Sequence, residues 1–244
     1  MGGPLPDSIP AVVARLRAIE ESAPASDGVV CFARLYREVT EGVGGELTQQ
    51  TPDDAKFLER LDVGFAGLFF SAFDAFEQGA TDVPSAWGPL FADRSRRGVA
   101  PLQFALAGVN AHINRDLPVA LGDSCRELGI DIFDVAPDHA TYQRVDVLLG
   151  QVEQRIKALY LTGWMRTVDH VLHRIHRLDD VIAMWDVDHA RDAAWTNGRT
   201  LWGLRTSPDL ATEFLAVLDK MVGFASRGLL VPADSVLQKL SRLV

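Results

Sequence analysis

The sequence contains few cysteines and no long apolar run. Its 244 residues include only two cysteines, Cys31 and Cys125, too few for a disulfide scaffold or a four-thiolate metal site. No apolar stretch approaches the roughly 20 residues that a membrane helix needs. The N-terminal segment lacks the basic and apolar regions of a signal peptide. These absences predict a soluble, cytoplasmic protein with no membrane partner.

The chain also has fewer basic residues than acidic residues. The chain has 24 Lys and Arg residues against 33 Asp and Glu, a formal net charge of -9. Because such a surface repels phosphate backbones, we expect no nucleic-acid partner. Hydrophobic residues make up 48% of the chain and charged residues 23%, which is close to the globular average and excludes wholesale disorder.

Several motifs that carry chemistry or mark turns are missing. There is no glycine-rich phosphate loop, no Gly-x-Ser-x-Gly nucleophile elbow and no Cys-x-x-Cys. The turn dipeptide Asn197–Gly198 lies in a segment with helical apolar spacing, so we predict a helix there instead of a hairpin. Three glycines between Gly42 and Gly45 should end the second helix.

What remains is a succession of helices. Prolines mark predicted helix starts at Pro10, Pro52, Pro101, Pro137 and Pro208. Apolar residues four positions apart predict a helix with a central place in the fold, along Phe57, Leu61, Phe65, Phe69 and Phe73. With no repeat or linker, we predict one all-α domain over residues 1–244, a bundle of about eight to ten helices.

The segment from Asn110 to Asp116 carries the most chemistry. It places five polar residues in seven positions after an almost wholly apolar run. His112 and Asp116 are four apart and share a helix face close to the apolar line, which Asn110 flanks on its other side. The carboxylate can orient the imidazole for acid–base catalysis, or both can bind one divalent metal. A structural pair is the alternative, and Pro118 should kink or end this helix.

Two further charged residues fall on apolar faces. Asp62 lies within the apolar arc of the phenylalanine-rich helix, where burial raises a carboxyl pKa unless a cation meets it. Arg191 lies within the apolar arc of a later helix and would pair with Asp62, with Asp116 or with an anionic substrate group. The alternatives are a partly solvated carboxylate and a guanidinium that reaches water.

Three histidines are spaced like the ligands on a metal-binding helix. His170, His173 and His176 have suitable spacing, but they fall on the polar face among arginines. Because cationic neighbours repel a metal ion, we interpret this face as solvated surface.

The stretch PLQFALAGVNAHINRDLPVAL, with GVNAHINRDLP as its core, resembles a family of all-helical proteins. This family is mainly actinobacterial and is known only as a domain of unknown function. The similarity spans about residues 25 to 205. Its other shared features are Asp27 with Gly28, Tyr36 to Thr40, Leu61-Asp62-Val63 with Phe65-Ala66, Pro84 with Trp87, and Arg191 with Ala194-Trp195 and Asn197. The resemblance implies one all-helical domain and transfers no activity.

Two hypotheses follow for the polar residues. The first is a small-molecule enzyme with a buried polar pocket, whose catalytic residues are His112, Asp116 and Arg191. Its substrate-binding residues are then Asp62, Asn110, Asn114 and Asn197. A variant adds a divalent metal cofactor at His112 and Asp116 for hydrolysis. The second hypothesis is a non-catalytic ligand-binding or scaffold protein whose polar cluster is structural; a homo-oligomer is compatible with either.

Overall fold

A computed structural model describes residues 4–46, 52–133 and 187–232, and only the helical backbone at 43–46, 53–54 and 187–191. Within these ranges every regular element is helical and there is no strand, which confirms the all-α prediction for this part of the chain. A π-helical turn, His112–Asp116, joins the helix that ends at Ala111 to the one that begins at Leu117. In chain order the α-helices are α1 (Ile9–Glu21), α2 (Gly28–Glu46), α3 (Pro52–Glu77), α4 (Gly88–Asp93), α5 (Pro101–Ala111), α6 (Leu117–Leu128), α7 (Val187–Gly203) and α8 (Pro208–Leu229).

The prolines act as the sequence predicted. Four of the five prolines predicted to start helices lie at the first or second position of a described helix, where the missing N–H costs no hydrogen bond. These are Pro10 in α1, Pro52 in α3, Pro101 in α5 and Pro208 in α8. The start predicted at Pro137 lies outside the described residues. Helix α7 runs through Asn197–Gly198, as its apolar spacing predicted.

At two predicted helix ends the structure differs from the prediction by a few residues. Helix α2 continues through its glycine-rich segment to Glu46. The chain also stays helical at Pro118, which lacks an N–H and lies directly after the π-helical turn, with helical residues on both sides. The irregularity comes earlier, as the π-helical turn.

The helix at the centre of the described region is α5. It packs against α2 on one side and α8 on another, and every residue from Leu102 to Ala111 is buried. Helix α3 supplies the predicted apolar stripe, but it also carries half-buried and exposed positions. Gly108 allows α2 to lie close to α5. Its missing side chain leaves room for Phe32, which a Cβ at this position would overlap.

None of the described helices has the length and apolar character that crossing a bilayer requires.

The remaining packing places α3 and α7 against α6, and α1 against α2. The π-helical turn contacts α3, α7 and α8, so the segment with the most polar residues lies where several helices meet.

Candidate functional site

The polar segment singled out in the sequence is also an irregularity of the backbone. Across His112–Asp116 the helix widens, and the Leu117 N–H bonds to the carbonyl of His112, five residues back. The extra residue per turn changes the direction in which the following side chains project. Such turns are rare inside α-helices and are frequent at functional sites.

The imidazole of His112 is enclosed by aromatic rings. The residue is 3% exposed, and its ring lies flat on Phe65, with 3.4 Å between centroids and 7° between planes. Tyr36 meets it edge-on at 4.6 Å, and Phe32 and Trp87 lie within 5.8 Å. Burial lowers the pKa of His112 and outweighs the opposing hydrogen bond and charge of Asp116. The imidazole is therefore neutral at neutral pH.

Asp116 is fully buried and fixes the orientation of this imidazole. Its Oδ2 accepts hydrogen bonds from His112 Nδ1 at 3.2 Å and Trp87 Nε1 at 3.0 Å. Its Oδ1 accepts one from Arg115 at 2.7 Å. Because a carboxylate only accepts hydrogen bonds, Nδ1 of the neutral ring carries the proton, and Nε2 presents its lone pair.

Besides Nε of Arg115, three buried polar atoms have no hydrogen-bond partner in the described part of the chain. They are Nε2 of His112, Oη of Tyr36 and Oδ2 of Asp62. We call this group the open triad. Because an unpartnered buried polar atom costs free energy, such atoms are rare in folded proteins and each needs an explanation.

The open triad comes from three elements that face one another. Tyr36 lies on α2 and touches the imidazole, while Asp62 lies on α3 one turn before Phe65. Burial, and next the charge of Asp62, raise the pKa of Tyr36 well above its usual value, so the phenol keeps its proton. Burial raises the pKa of the Asp62 carboxyl to about 7, as the sequence led us to expect for a carboxyl without a cation.

Asn110, predicted to bind substrate, links α5 to α8, and Asn114, with the same predicted role, bonds to Asn110. The side-chain N–H groups of Asn110 donate to Val222 O at 3.1 Å and to Ser226 Oγ at 3.0 Å, both on α8. Its side-chain oxygen accepts a hydrogen bond from Asn114 at 3.0 Å. This geometry favours a structural role for both asparagines.

The predicted partner of the buried carboxylates was an arginine on α7, but Asp116 bonds to Arg115. The backbone at Arg191 is helical, and its side chain lies outside the described part of the structure. Asn197, on the same helix, is half-buried. The histidine-rich segment, with His170, His173 and His176, also lies outside the described residues.

A network of ion pairs and hydrogen bonds that the sequence did not predict supports Asp116. The Nε atom of Arg115 lies 3.6 Å from an oxygen of Asp219 on α8. Asp219 in turn accepts hydrogen bonds from the backbone N–H groups of Ser85 at 2.6 Å and Ala86 at 3.0 Å. The carboxylate that orients His112 is thus linked to α8 and to the turn before α4.

The hydrogen bonds of His112 and Asp116 bear on whether the site can bind a metal ion. Nδ1 of His112 faces Asp116, and both oxygens of Asp116 already accept hydrogen bonds. Among the side chains that the structure describes, no three from His, Cys, Asp or Glu are placed to hold a metal ion. The metal variant stays a prediction with no third ligand among these side chains.

The chain matches one family model over most of its length. Residues 9–232 match the model of a family of unknown function, DUF5995. The chain belongs to this family. Membership in DUF5995 confirms the resemblance to a domain of unknown function, and the match spans the chain from the start of α1 to just beyond α8. No curated protein and no solved structure gives a significant match to this DUF5995 member.

Proposed function

We propose that this DUF5995 protein is an enzyme that performs acid–base chemistry on a small neutral molecule, with Nε2 of His112 as the general base. The observation that carries the proposal is that this nitrogen is buried and unpartnered while Asp116 holds the opposite nitrogen. A base placed in this way accepts a proton from a bound hydroxyl, amine, water or acidic C–H group. Asp116 then stabilises the imidazolium that forms.

The other two members of the open triad supply complementary groups. Tyr36 keeps its phenolic proton and donates a hydrogen bond to the bound molecule. Asp62, with a pKa of about 7, exchanges a proton near neutral pH and therefore suits the role of general acid. The rings of Phe65, Phe32 and Trp87 around the imidazole favour an apolar or aromatic body on the molecule.

The charges around the site favour a neutral molecule over an anion. The charges of Asp62, which is half-buried, and of Asp116, which is buried, both raise the pKa of Tyr36, so an anion would meet two carboxyl groups. The nearby cation Arg115 is already bound to Asp116. The expected role of Arg191 as an anion-binding residue is therefore not part of this proposal.

A second candidate function is the non-catalytic binding or scaffold protein. The bonds of Asn110 to α8 favour it, because they form a closed network that fixes how α5 and α8 pack. Under this alternative the hydrogen bonds around Asp116 serve the same structural purpose, and Nε2 of His112 takes part in no reaction.

Activity profiling of a histidine variant separates the two functions. His112→Asn keeps a side-chain N–H for Asp116 but removes Nε2, and Arg60→Ala changes only an exposed ion pair with Glu127. Each protein is incubated with an extract of small metabolites, and mass spectrometry records which compounds are consumed. We expect wild type and Arg60→Ala to consume the same compound and His112→Asn to leave it intact while remaining folded. Consumption by His112→Asn, or no consumption by wild type, contradicts the proposed enzyme.

We further infer that the whole chain, residues 1–244, forms one helical bundle of about eight to ten helices in the cytoplasm. The uninterrupted family match over residues 9–232 supports the single domain. Limited proteolysis tests it, because a single domain yields no stable pair of fragments.

A further inference from the structure

The outer face of α8 carries an exposed apolar stripe that is separate from the proposed site. Leu210, Val217, Met221 and Phe224 are 54%, 53%, 66% and 76% exposed. At about 100° per residue they occupy roughly 60° of the helix circumference, a narrow seam about four turns long. We call these four residues the α8 seam. Contiguous apolar surface of this kind marks an interaction site.

One edge of the α8 seam carries a column of charges whose sign reverses along the helix. Asp209 and Glu213 lie in the first half of α8, and Lys220 and Arg227 lie in the second half; all four are exposed. On the helical wheel the four fall within roughly 40° of one another, on the same side of the seam. Such a column is complementary to its own reversed copy.

We propose that the α8 seam is the interface of an antiparallel homodimer. A two-fold axis perpendicular to α8 places the charged edges of two copies side by side with their directions reversed. Acidic positions of one copy then meet basic positions of the other, whereas a parallel pair separates the two edges.

The register of this dimer follows from the spacing within the seam. Centring the axis on Val217 sets Leu210 of each copy against Phe224 of the other, because both lie seven residues from the centre. In this register Glu213 of one copy and Lys220 of the second copy differ in height along the helix axis by only one residue, about 1.5 Å. Apolar and charged contacts therefore form in the same alignment, as in the core and flanks of a coiled coil.

The inner face of the same helix contributes to the site. Asp219 bonds to the turn before α4, and Val222 and Ser226 accept hydrogen bonds from Asn110. The dimer does not depend on the proposed enzymatic function, because the α8 seam and the site lie on opposite faces of α8.

Sedimentation velocity of the full chain over a range of concentrations tests the dimer. We expect a dimer for wild type and a folded monomer for Met221→Glu/Phe224→Glu. Glu213→Lys should weaken the dimer by about tenfold through like-charge contacts, and Glu213→Lys/Lys220→Glu should restore it. A monomer at all concentrations, which would leave the seam to another occupant, or failure of the double charge exchange to restore affinity, overturns the proposal.

Cysteine cross-linking tests the orientation. Cys31 and Cys125 are buried and do not interfere. Leu210→Cys mixed with Phe224→Cys should form a disulfide-linked dimer on oxidation, while Leu210→Cys alone should not. Cross-linking by Leu210→Cys alone indicates a parallel pair and overturns the antiparallel interface.

Discussion

The imidazole of His112 lies parallel to the ring of Phe65, with 3.4 Å between centroids and 7° between planes. A hydrogen bond from Nδ1 to Asp116 holds the same ring at one edge. Contact along a face and a bond at one nitrogen together prevent the imidazole from turning over. The structure thus fixes which nitrogen of His112 is available, before any ligand binds.

Removing the Phe65 ring should make His112 more basic. Phe65→Ala opens one face of the imidazole to water, so the desolvation that lowers its pKa is relieved and the pKa rises toward the usual 6.5. The lost packing should also cost about 2–3 kcal/mol of stability, since Phe65 is half-buried. NMR titration of the His112 ring measures the shift. A pKa that stays in place or falls would show that Phe65 does not shield this histidine.

Removing the Tyr36 hydroxyl should stabilise the protein. Tyr36→Phe deletes a buried oxygen that makes no well-formed hydrogen bond in the described residues, where the side chain of Thr40 is its nearest candidate partner, so the free energy of unfolding should rise by up to about 1 kcal/mol. Trp87→Phe is the matched control, because its ring N–H is bonded to Asp116 and the variant should lose about 2 kcal/mol. Urea denaturation measures both values. A loss of stability in Tyr36→Phe comparable to that in Trp87→Phe would mean that the hydroxyl is bonded after all.

Asp62 should make stability depend on pH. Its folded pKa of about 7 exceeds the unfolded value near 3.9, so the folded protein holds a proton that the unfolded chain has released. Folding takes up a proton in this window, and the free energy of unfolding falls as pH rises from about 4 to about 7, by up to about 4 kcal/mol.

Asp62→Asn isolates this effect. The lowered pKa of His112 acts in the opposite direction, reducing stability as pH falls below about 6.5, but it is present in both proteins. The stability of Asp62→Asn relative to wild type should therefore increase between pH 4.5 and 7.5, measured by urea denaturation at each pH. A difference that does not change with pH would place the carboxyl in water.

Two glycines of α8 should respond oppositely to alanine. A Cβ at Gly223 would overlap the backbone oxygen of Ser85, so Gly223→Ala should cost at least about 2 kcal/mol and loosen the bonds of Asp219. A Cβ at Gly228 meets no atom within 4 Å, so Gly228→Ala should stabilise the helix by about 0.5–1 kcal/mol. Thermal unfolding compares the two variants. Equal effects would contradict the close contact between α8 and the turn before α4.

Local patterns in the sequence were enough to predict the starts of four helices of the described region and the course of α7, but not α4 or the continuation into α6. Proline at the first turn and apolar spacing of three and four act within a few residues, so the starts at Pro10, Pro52, Pro101 and Pro208 and the helix across Gly198 could be predicted. The position of His112 near an apolar face and the raised pKa of Asp62 followed from the same periodicity.

Tertiary packing decided which polar atoms are bonded and which stay open. A helical wheel gives the direction of a side chain but not what lies opposite it, so it did not show that Arg115 pairs with Asp116. It also assumes α-helical rotation, which the π-helical turn breaks between His112 and Asp116. Tyr36 joined the site only because α2 packs against α5, through contacts between residues far apart in the chain.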